Sequence, residues 1–221
     1  EQRRMKILDA DYSAVDLVSF TNELKHSSIQ EESTLYNFLI RCNRLFAGSL
    51  GQATGIKPVH LELKDDAKPY HMKQPFTITH CYVETMKKKI ERLCRIGVLE
   101  KNSDSERACG SFIRPKTTGD VRVLADFCGL NKHIKRKPYL SPKITELLQS
   151  LAGFTRAMAL NLSMGYYHIP LDKTSQELCT FVLPWGKYHY KKLPMGVKVA
   201  CDVFQEIMSE LFIDLDYVRV Y

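Results

Sequence analysis

The stretch that most constrains this chain is residues 155–170, TRAMALNLSMGYYHIP. Its apolar run, Ala157-Met158-Ala159-Leu160, predicts a buried strand. The run stops at a polar residue, Asn161, and Gly165 follows ahead of Tyr166 and Tyr167. A polar group at a strand end, beside a close backbone approach, sits where ligands usually bind. The same pattern also describes an ordinary strand-to-turn junction, and this stretch alone does not separate the two.

The 221 residues suffice for one large domain or two small lobes. A hydrophobic fraction of 44% is normal for a globular chain, and no apolar run reaches the length of a spanning helix. The first residues, Glu-Gln-Arg-Arg, lack both an initiator Met and the apolar core of a signal peptide. The expectation is an intracellular piece of a longer reading frame. A net charge of +7 fits a polyanionic partner without requiring one. The seven cysteines are odd in number and include no Cys-x-x-Cys pair, so neither a disulfide framework nor a zinc site is expected. His80 and Cys81 are adjacent rather than at ligand spacing.

Two helices are predicted before residue 58. Residues 14–24 are weakly amphipathic. Residues 30–46 repeat Leu35, Phe38, Leu39, Cys42, Leu45 and Phe46 at helical spacing, with Ser33 and Thr34 as candidate caps and Gly48 as the stop. No Asp-Thr-Gly or Asp-Ser-Gly occurs, which excludes an aspartic protease site within this sequence. Val59, Leu61 and Leu63 then alternate, and Asp65-Asp66-Ala67 reads as a solvated turn rather than a metal pair. Residues 82–100 predict a helix with Val83, Met86, Ile90, Leu93 and Cys94 on one face, ending at Gly97. Its other face carries Lys87, Lys88, Lys89 and Arg92, either a phosphate contact or simply the wet side.

Residues 110–131 read as a β-hairpin with Arg114, Lys116 and Arg122 around its turn, and residues 121–127 as the returning strand. A thin hairpin can swing such cations over a polyphosphate, or they can be idle surface charge. KHIKRK follows at 132–137. Ser141-Pro142 then opens a helix with Ile144, Leu147, Leu148 and Leu151 inward. A second hairpin is predicted over 178–193. Trp185 lies at its turn, more plausibly capping a core than stacking on a base. A last helix carries Phe204, Ile207, Met208 and Leu211.

These stretches resemble the reverse transcriptases of gypsy-type LTR retrotransposons, over about residues 59–221. The family's first catalytic motif, Leu-Asp-Leu-x-x-Gly-Tyr-x-x-Ile, is matched by Leu160, Leu162, Gly165, Tyr166 and Ile169, with Asn161 in place of the metal-binding aspartate. Lys-Lys-x-Gly-x-x-Arg and Asp-Tyr/Phe-Arg-x-Leu-Asn are matched by Lys116, Gly119, Arg122, Asp126, Phe127, Leu130 and Asn131. Cys128 replaces the second arginine and loses its bidentate fork. Pro-x-Gly-x-x-x-Ala-Pro-x-x-Phe-Gln is matched by Pro194, Gly196, Ala200, Phe204 and Gln205, with Cys201 in place of the second proline. Tyr221 matches the tyrosine of Tyr-x-Asp-Asp, whose aspartates lie beyond the last residue.

The resemblance implies an α+β fold of fingers and palm, truncated before the thumb, with an antiparallel palm sheet backed by helices. Fingers would span 59–136 and 170–197, palm 137–169 and 198–221, and residues 1–58 would be a helical connecting region. In the palm, residues 157–160 and 218–221 would be neighbouring strands. The implied reaction is template-directed nucleotidyl transfer, with two Mg²⁺ ions held by three carboxylates. Here one is Asn161 and two are absent, so no metal set is intact. Lys116 and Arg122 would meet nucleotide phosphates, Tyr166 would screen out a ribose 2′-hydroxyl, and Met195 and Gly196 would complete the pocket. Lys132, Lys135, Arg136, Lys137 and Tyr221 would follow the template and primer. The implied partners are an RNA/DNA primer–template and deoxynucleotides, with no membrane. The expectation is an inactive polymerase fragment. The alternatives are the front of an active polymerase with a truncated sequence, or a non-enzymatic nucleic-acid-binding module.

Overall fold

The structure is a computed structural model and describes residues 14–24, 27–51, 53–72, 75–115, 121–150, 153–154 and 157–220. The chain divides into two units, Glu1–Gln52 and Ala53–Tyr221.

In the first unit, α1 (Leu17–Asn22) starts at Asp16, whose carboxylate accepts the Val18 and Ser19 N–H groups. Helix α2 (Ile29–Arg41) starts with a capping box. Ser28 Oγ accepts the Glu31 N–H, and the Glu31 carboxylate accepts the Ser28 N–H at 2.7 Å. Ser33 and Thr34 are therefore not the caps. Both lie inside the helix, and Thr34 Oγ1 bonds back to the Gln30 carbonyl. The helix also stops before Phe46, because residues Asn43–Phe46 tighten into a 3₁₀ turn.

In the second unit, α3 (Val83–Arg95) buries Met86, Ile90 and Leu93, while Lys87 and Lys89 lie half-buried and Lys88 is exposed. It ends at Gly97, at φ +74°. The chain then enters β1 (Leu99–Lys101) and forms the hairpin β2 (Ser111–Pro115) and β3 (Val121–Ala125). Strands β4 (Thr180–Leu183) and β5 (Gly186–Tyr190) make the second hairpin, and β5 also pairs with β1 to give the antiparallel order β1-β5-β4. The buried Tyr190 ring gathers the core, with Phe181 at 5.3 Å, Phe127 at 6.1 Å and Tyr167 at 6.3 Å between centroids. It thereby ties the second hairpin to α4 (Cys128–His133) and to the turn that follows Asn161. Val59, Leu61 and Leu63 alternate as expected but make isolated bridges, Val59 with Leu171 and Leu63 with Ile134, instead of a strand.

The expected palm strands do not form. Residues 157–162 are irregular and exposed, with Leu160 at 78% of its free area, and residues 218–220 are irregular too. A strand needs a hydrogen-bonded neighbour along at least one edge. Among the described residues neither stretch pairs in a ladder with another strand, and hydrophobicity alone cannot replace a ladder. Residues 126–127 likewise leave the ladder, because Phe127 turns the chain into α4. Helix α5 (Ile144–Ser150) forms where expected, yet Ile144 is more than half exposed and Leu151 lies outside the described residues. Helices α6 (Lys173–Leu178) and α7 (Ala200–Leu211) complete the unit. The α+β class stands, with its regular sheet in the two hairpins. Among the described residues no helix is long and apolar enough to cross a membrane.

Candidate nucleotide and nucleic-acid site

The β2–β3 register sets Arg114 directly opposite Arg122, and Phe112 opposite Leu124. Opposed residues of an antiparallel pair share a face, so two guanidinium groups emerge side by side with the exposed Phe112 ring. Lys116 and Gly119 lie outside the described residues.

The base of the hairpin is fixed by hydrogen bonds. Asp126 N–H donates to the Gly110 carbonyl, and Asp126 Oδ1 accepts the Cys128 N–H at 3.0 Å. These bonds from Cys128, its side chain first, hold the Asp126 carboxyl below the usual range. One turn later Asn131 uses both ends of its amide: Nδ2 donates to the Gly196 carbonyl at 2.8 Å, and Oδ1 accepts the Lys198 N–H at 2.7 Å. Gly196 sits at φ +94°, where any side chain would strain the backbone. A Cβ there would be 3.7 Å from the Phe127 ring and 4.0 Å from the Ala125 carbonyl, so this loop lies against the end of β3. Met195, just before it, is half exposed.

The first motif makes a tight turn. Met164 takes φ +53°, an uncommon conformation for a residue with a side chain, and Gly165–His168 forms a 3₁₀ turn. Gly165 is tightly placed: a Cβ would come 3.0 Å from the Phe204 ring, which would have to give by a few tenths of an ångström. Tyr166 packs on Phe204 at 5.0 Å between centroids, and its hydroxyl lies 3.3 Å from Cys201 Sγ. Burial, then the Cys201 contact, push the Tyr166 phenol up to about 12. The group stays protonated at any physiological pH.

Asn161 is exposed and offers only a neutral amide oxygen. No group of three or more His, Cys, Asp and Glu side chains among the described residues could hold a metal ion. A Mg²⁺ pair wants several hard anionic oxygens, and the described residues around Asn161 do not supply them.

The basic run after α4 is largely occupied. Lys137 Nζ meets Glu62 at 2.7 Å, and Lys135 Nζ meets Asp65 at 3.3 Å and Glu62 at 3.5 Å. The Lys137 bond, ahead of Lys135, holds the Glu62 carboxyl low. Arg136 pairs with Asp202 on α7. Lys132 is exposed, and Tyr221 lies outside the described residues. The structure thus gathers Arg122's strand, Gly196 and α4 into one frame and seats Tyr166 on α7. It leaves Asn161 on an irregular segment and engages three of the four basic-run residues elsewhere.

Three contacts were not readable from sequence: the Asn131 clamp, the Cys201–Tyr166 contact and the Asp202 anchor. Each joins residues at least 35 positions apart. The nearest signals are the motif positions at which Asn131, Gly196, Tyr166 and Cys201 stand.

No protein-family model matches the chain. It is 26% identical over 157 residues to the retrovirus-related Pol polyprotein from transposon 412 of Drosophila melanogaster, covering 69% of this chain and 12% of that protein. It is 27% identical over 169 residues to a putative enzymatic polyprotein of Cassava vein mosaic virus, covering 73% and 26%. It is 28% identical over 129 residues to the transposon Tf2-7 polyprotein of Schizosaccharomyces pombe, covering 58% and 10%. The chain therefore spans between a tenth and about a quarter of these relatives' length. Among solved structures, the prototype foamy virus protease-reverse transcriptase superposes with a TM-score of 0.82 at 19% identity, over 95% of this chain and 28% of that one. A foamy viral protease-reverse transcriptase in complex with an RNA/DNA hybrid gives a TM-score of 0.74 at 19% identity, over 94% and 28%.

Proposed function

We propose that this chain, whose relatives are retroelement Pol polyproteins and whose fold is that of a reverse transcriptase, is a fingers-and-palm piece of a gypsy-type LTR retrotransposon polymerase that binds nucleic acid without polymerising. The observation that carries this reading is the frame around Gly196, set beside a first motif that offers Asn161 where the family has a carboxylate. In that frame the hairpin bearing Arg114 and Arg122 ends against the Gly196 loop. Two facing guanidinium groups suit a polyphosphate or a nucleic-acid backbone, since each can present a fork of N–H donors. Tyr166, protonated and packed on Phe204, supports a wall beside a sugar. Foamy viral relatives of the fold have been solved with an RNA/DNA hybrid and with double-stranded DNA, which supports a primer–template as the partner.

No step of nucleotidyl transfer is assigned to this chain, because the described residues supply no carboxylate set for the ions. Fingers over 59–136 and 170–197, and palm over 137–169 and 198–221, remain part of the proposal, as do deoxynucleotides as ligands.

The test is fluorescence anisotropy with a labelled RNA/DNA primer–template, titrated between roughly 50 and 200 mM salt. Weak binding, indifferent to sequence and lost as salt rises, is expected. Affinity that stays constant across that range would overturn the proposal.

A further inference from the structure

We infer that Asn131 is the positioning residue of the Gly196 loop, and that its amide sets which groups of that loop face the nucleotide. The inference rests on reading Gly196 and Arg122 as nucleotide-binding residues. Its geometry stands apart from that reading. Asn131 lies in α4, directly after the hairpin strand, and reaches a loop 65 residues away. Its donor holds the Gly196 carbonyl at 2.8 Å and its acceptor holds the Lys198 N–H at 2.7 Å. Two bonds of opposite polarity from one planar amide fix the orientation as well as the position of the loop.

The orientation matters because Gly196 has the freest backbone in the loop. At φ +94° a glycine can reverse its flanking peptides at little steric cost, and no side chain is there to resist. Holding the Gly196 carbonyl toward α4 directs that acceptor at Asn131. A free carbonyl oxygen turned toward the incoming phosphates would repel them. The opposite end of the loop is anchored independently, since the buried Leu193 N–H donates to the Ile169 carbonyl. Between these anchors only residues 194 and 195 remain, and Met195 is the exposed one. Asn131 therefore couples the strand bearing Arg122 to the loop bearing Gly196, so that the two halves of the candidate nucleotide pocket hold a fixed spacing.

Aspartate is the informative replacement. Its carboxylate can still accept the Lys198 N–H, but it faces the Gly196 carbonyl with no proton to donate. That juxtaposition favours the protonated acid, which restores the donor. Asn131→Asp should therefore recover function as pH falls toward the carboxylate range, whereas Asn131→Ala should not recover at any pH.

The experiment compares the full-length wild type, Asn131→Ala and Asn131→Asp. Amide hydrogen exchange is read over residues 194–200, and dTTP affinity is read on an oligo(dT)–poly(rA) primer–template. Alanine should remove protection at Lys198 and weaken dTTP by about tenfold, the scale of one to two lost hydrogen bonds, with primer–template affinity held within about twofold. Aspartate should match alanine at pH 7 and approach wild type toward pH 5. Unchanged exchange and dTTP affinity in the alanine variant would overturn the inference. So would equal losses in both variants at every pH, which is what a merely structural role produces. If the wild type binds no dTTP, the nucleotide reading fails; the exchange and pH arms then decide whether Asn131 positions the loop.

Discussion

Arg136 meets Asp202 at two points, Nε to Oδ2 at 2.8 Å and Nη2 to Oδ1 at 3.1 Å, and the Tyr139 N–H adds a third bond to Oδ1 at 3.2 Å. Asp202 is 5% exposed in the first turn of α7. Its carboxylate thus pins the segment after the basic run to a helix, and most of its charge is answered there. Asp202→Ala should cost about 2 kcal/mol, lowering the Tm by roughly 4–8 °C. The sign with pH follows from the Arg136 bond, which holds the folded carboxyl below its unfolded value. Its contribution is complete above the unfolded value, about 3.9, and is lost as pH falls through the lower folded value. Thermal melts of both proteins at a series of pH values check this: the gap between them should shrink only at the acid end.

The same segment gives a prediction about binding. Glu62 and Asp65 occupy Lys135 and Lys137, so a nucleic-acid phosphate at this run must displace them. Exposed pairs of this kind are weak and readily exchanged. Glu62→Gln combined with Asp65→Asn should raise primer–template affinity a few-fold and steepen the log–log salt dependence by roughly 1–2. A slope identical to wild type would place the run outside the nucleic-acid path.

Facing arginines predict opposite effects on stability and binding. Arg114 and Arg122 occupy one cross-strand position, where like charges destabilise a hairpin. Arg114→Thr should leave stability unchanged or raise it by about 0.2–1 kcal/mol, since threonine also suits a strand. The same change should weaken primer–template binding. Denaturant melts beside the anisotropy titration check the pair. Falling stability with intact binding would mean that Arg114 is a packing residue.

What the sequence made legible, and what it hid, divide along one physical line. Helix α3 was readable because Met86, Ile90 and Leu93 fall on one face at a spacing that only a helix satisfies. Both hairpins were readable because each carries its turn and its partner strand within about 20 residues. At the candidate site, Gly165 and Gly196 are visible as motif glycines; one lies close against the Phe204 ring and the other takes a backbone angle that a side chain would strain. The strand over 157–160 was misread because an apolar run specifies burial in something, and that something is a partner elsewhere. The α2 cap differs for another reason: Ser28 and Glu31 spell a capping box, and the hydroxyls of Ser33 and Thr34 stand inside the helix it opens. Asn131 and Asp202 were hidden because a single polar letter carries no record of a partner 65 positions away.

The 157–160 segment, which joins no sheet among the described residues, has a measurable consequence. Leu160, at 78% exposure, has little to lose, whereas Phe181 is fully buried between the two hairpins. Leu160→Ala should change stability by less than about 0.5 kcal/mol, and Phe181→Ala should cost roughly 3–5 kcal/mol. Equal losses from urea melts would show that 157–160 is packed after all.

The sharpest prediction concerns catalysis. The proposed polymerase reaction needs carboxylates that share two divalent ions, and an amide in place of one removes a charge that no cluster among the described residues replaces. Loss of groups that merely orient metal ligands typically costs roughly 10–100-fold in affinity or activity, and loss of the ligands themselves should cost more. The chain as it stands should therefore show no Mg²⁺-dependent primer extension on an RNA template. Asn161→Asp alone should not rescue it, because one carboxylate cannot hold two ions. Asn161→Asp joined to an extension past Tyr221 that supplies Asp-Asp is the smallest change expected to restore activity, with a thumb needed for robust rates. The three proteins are compared in one gel-based extension assay, with and without Mg²⁺. Robust extension by the unmodified chain would show that Asn161 does not stand at the metal position and that the ions bind elsewhere.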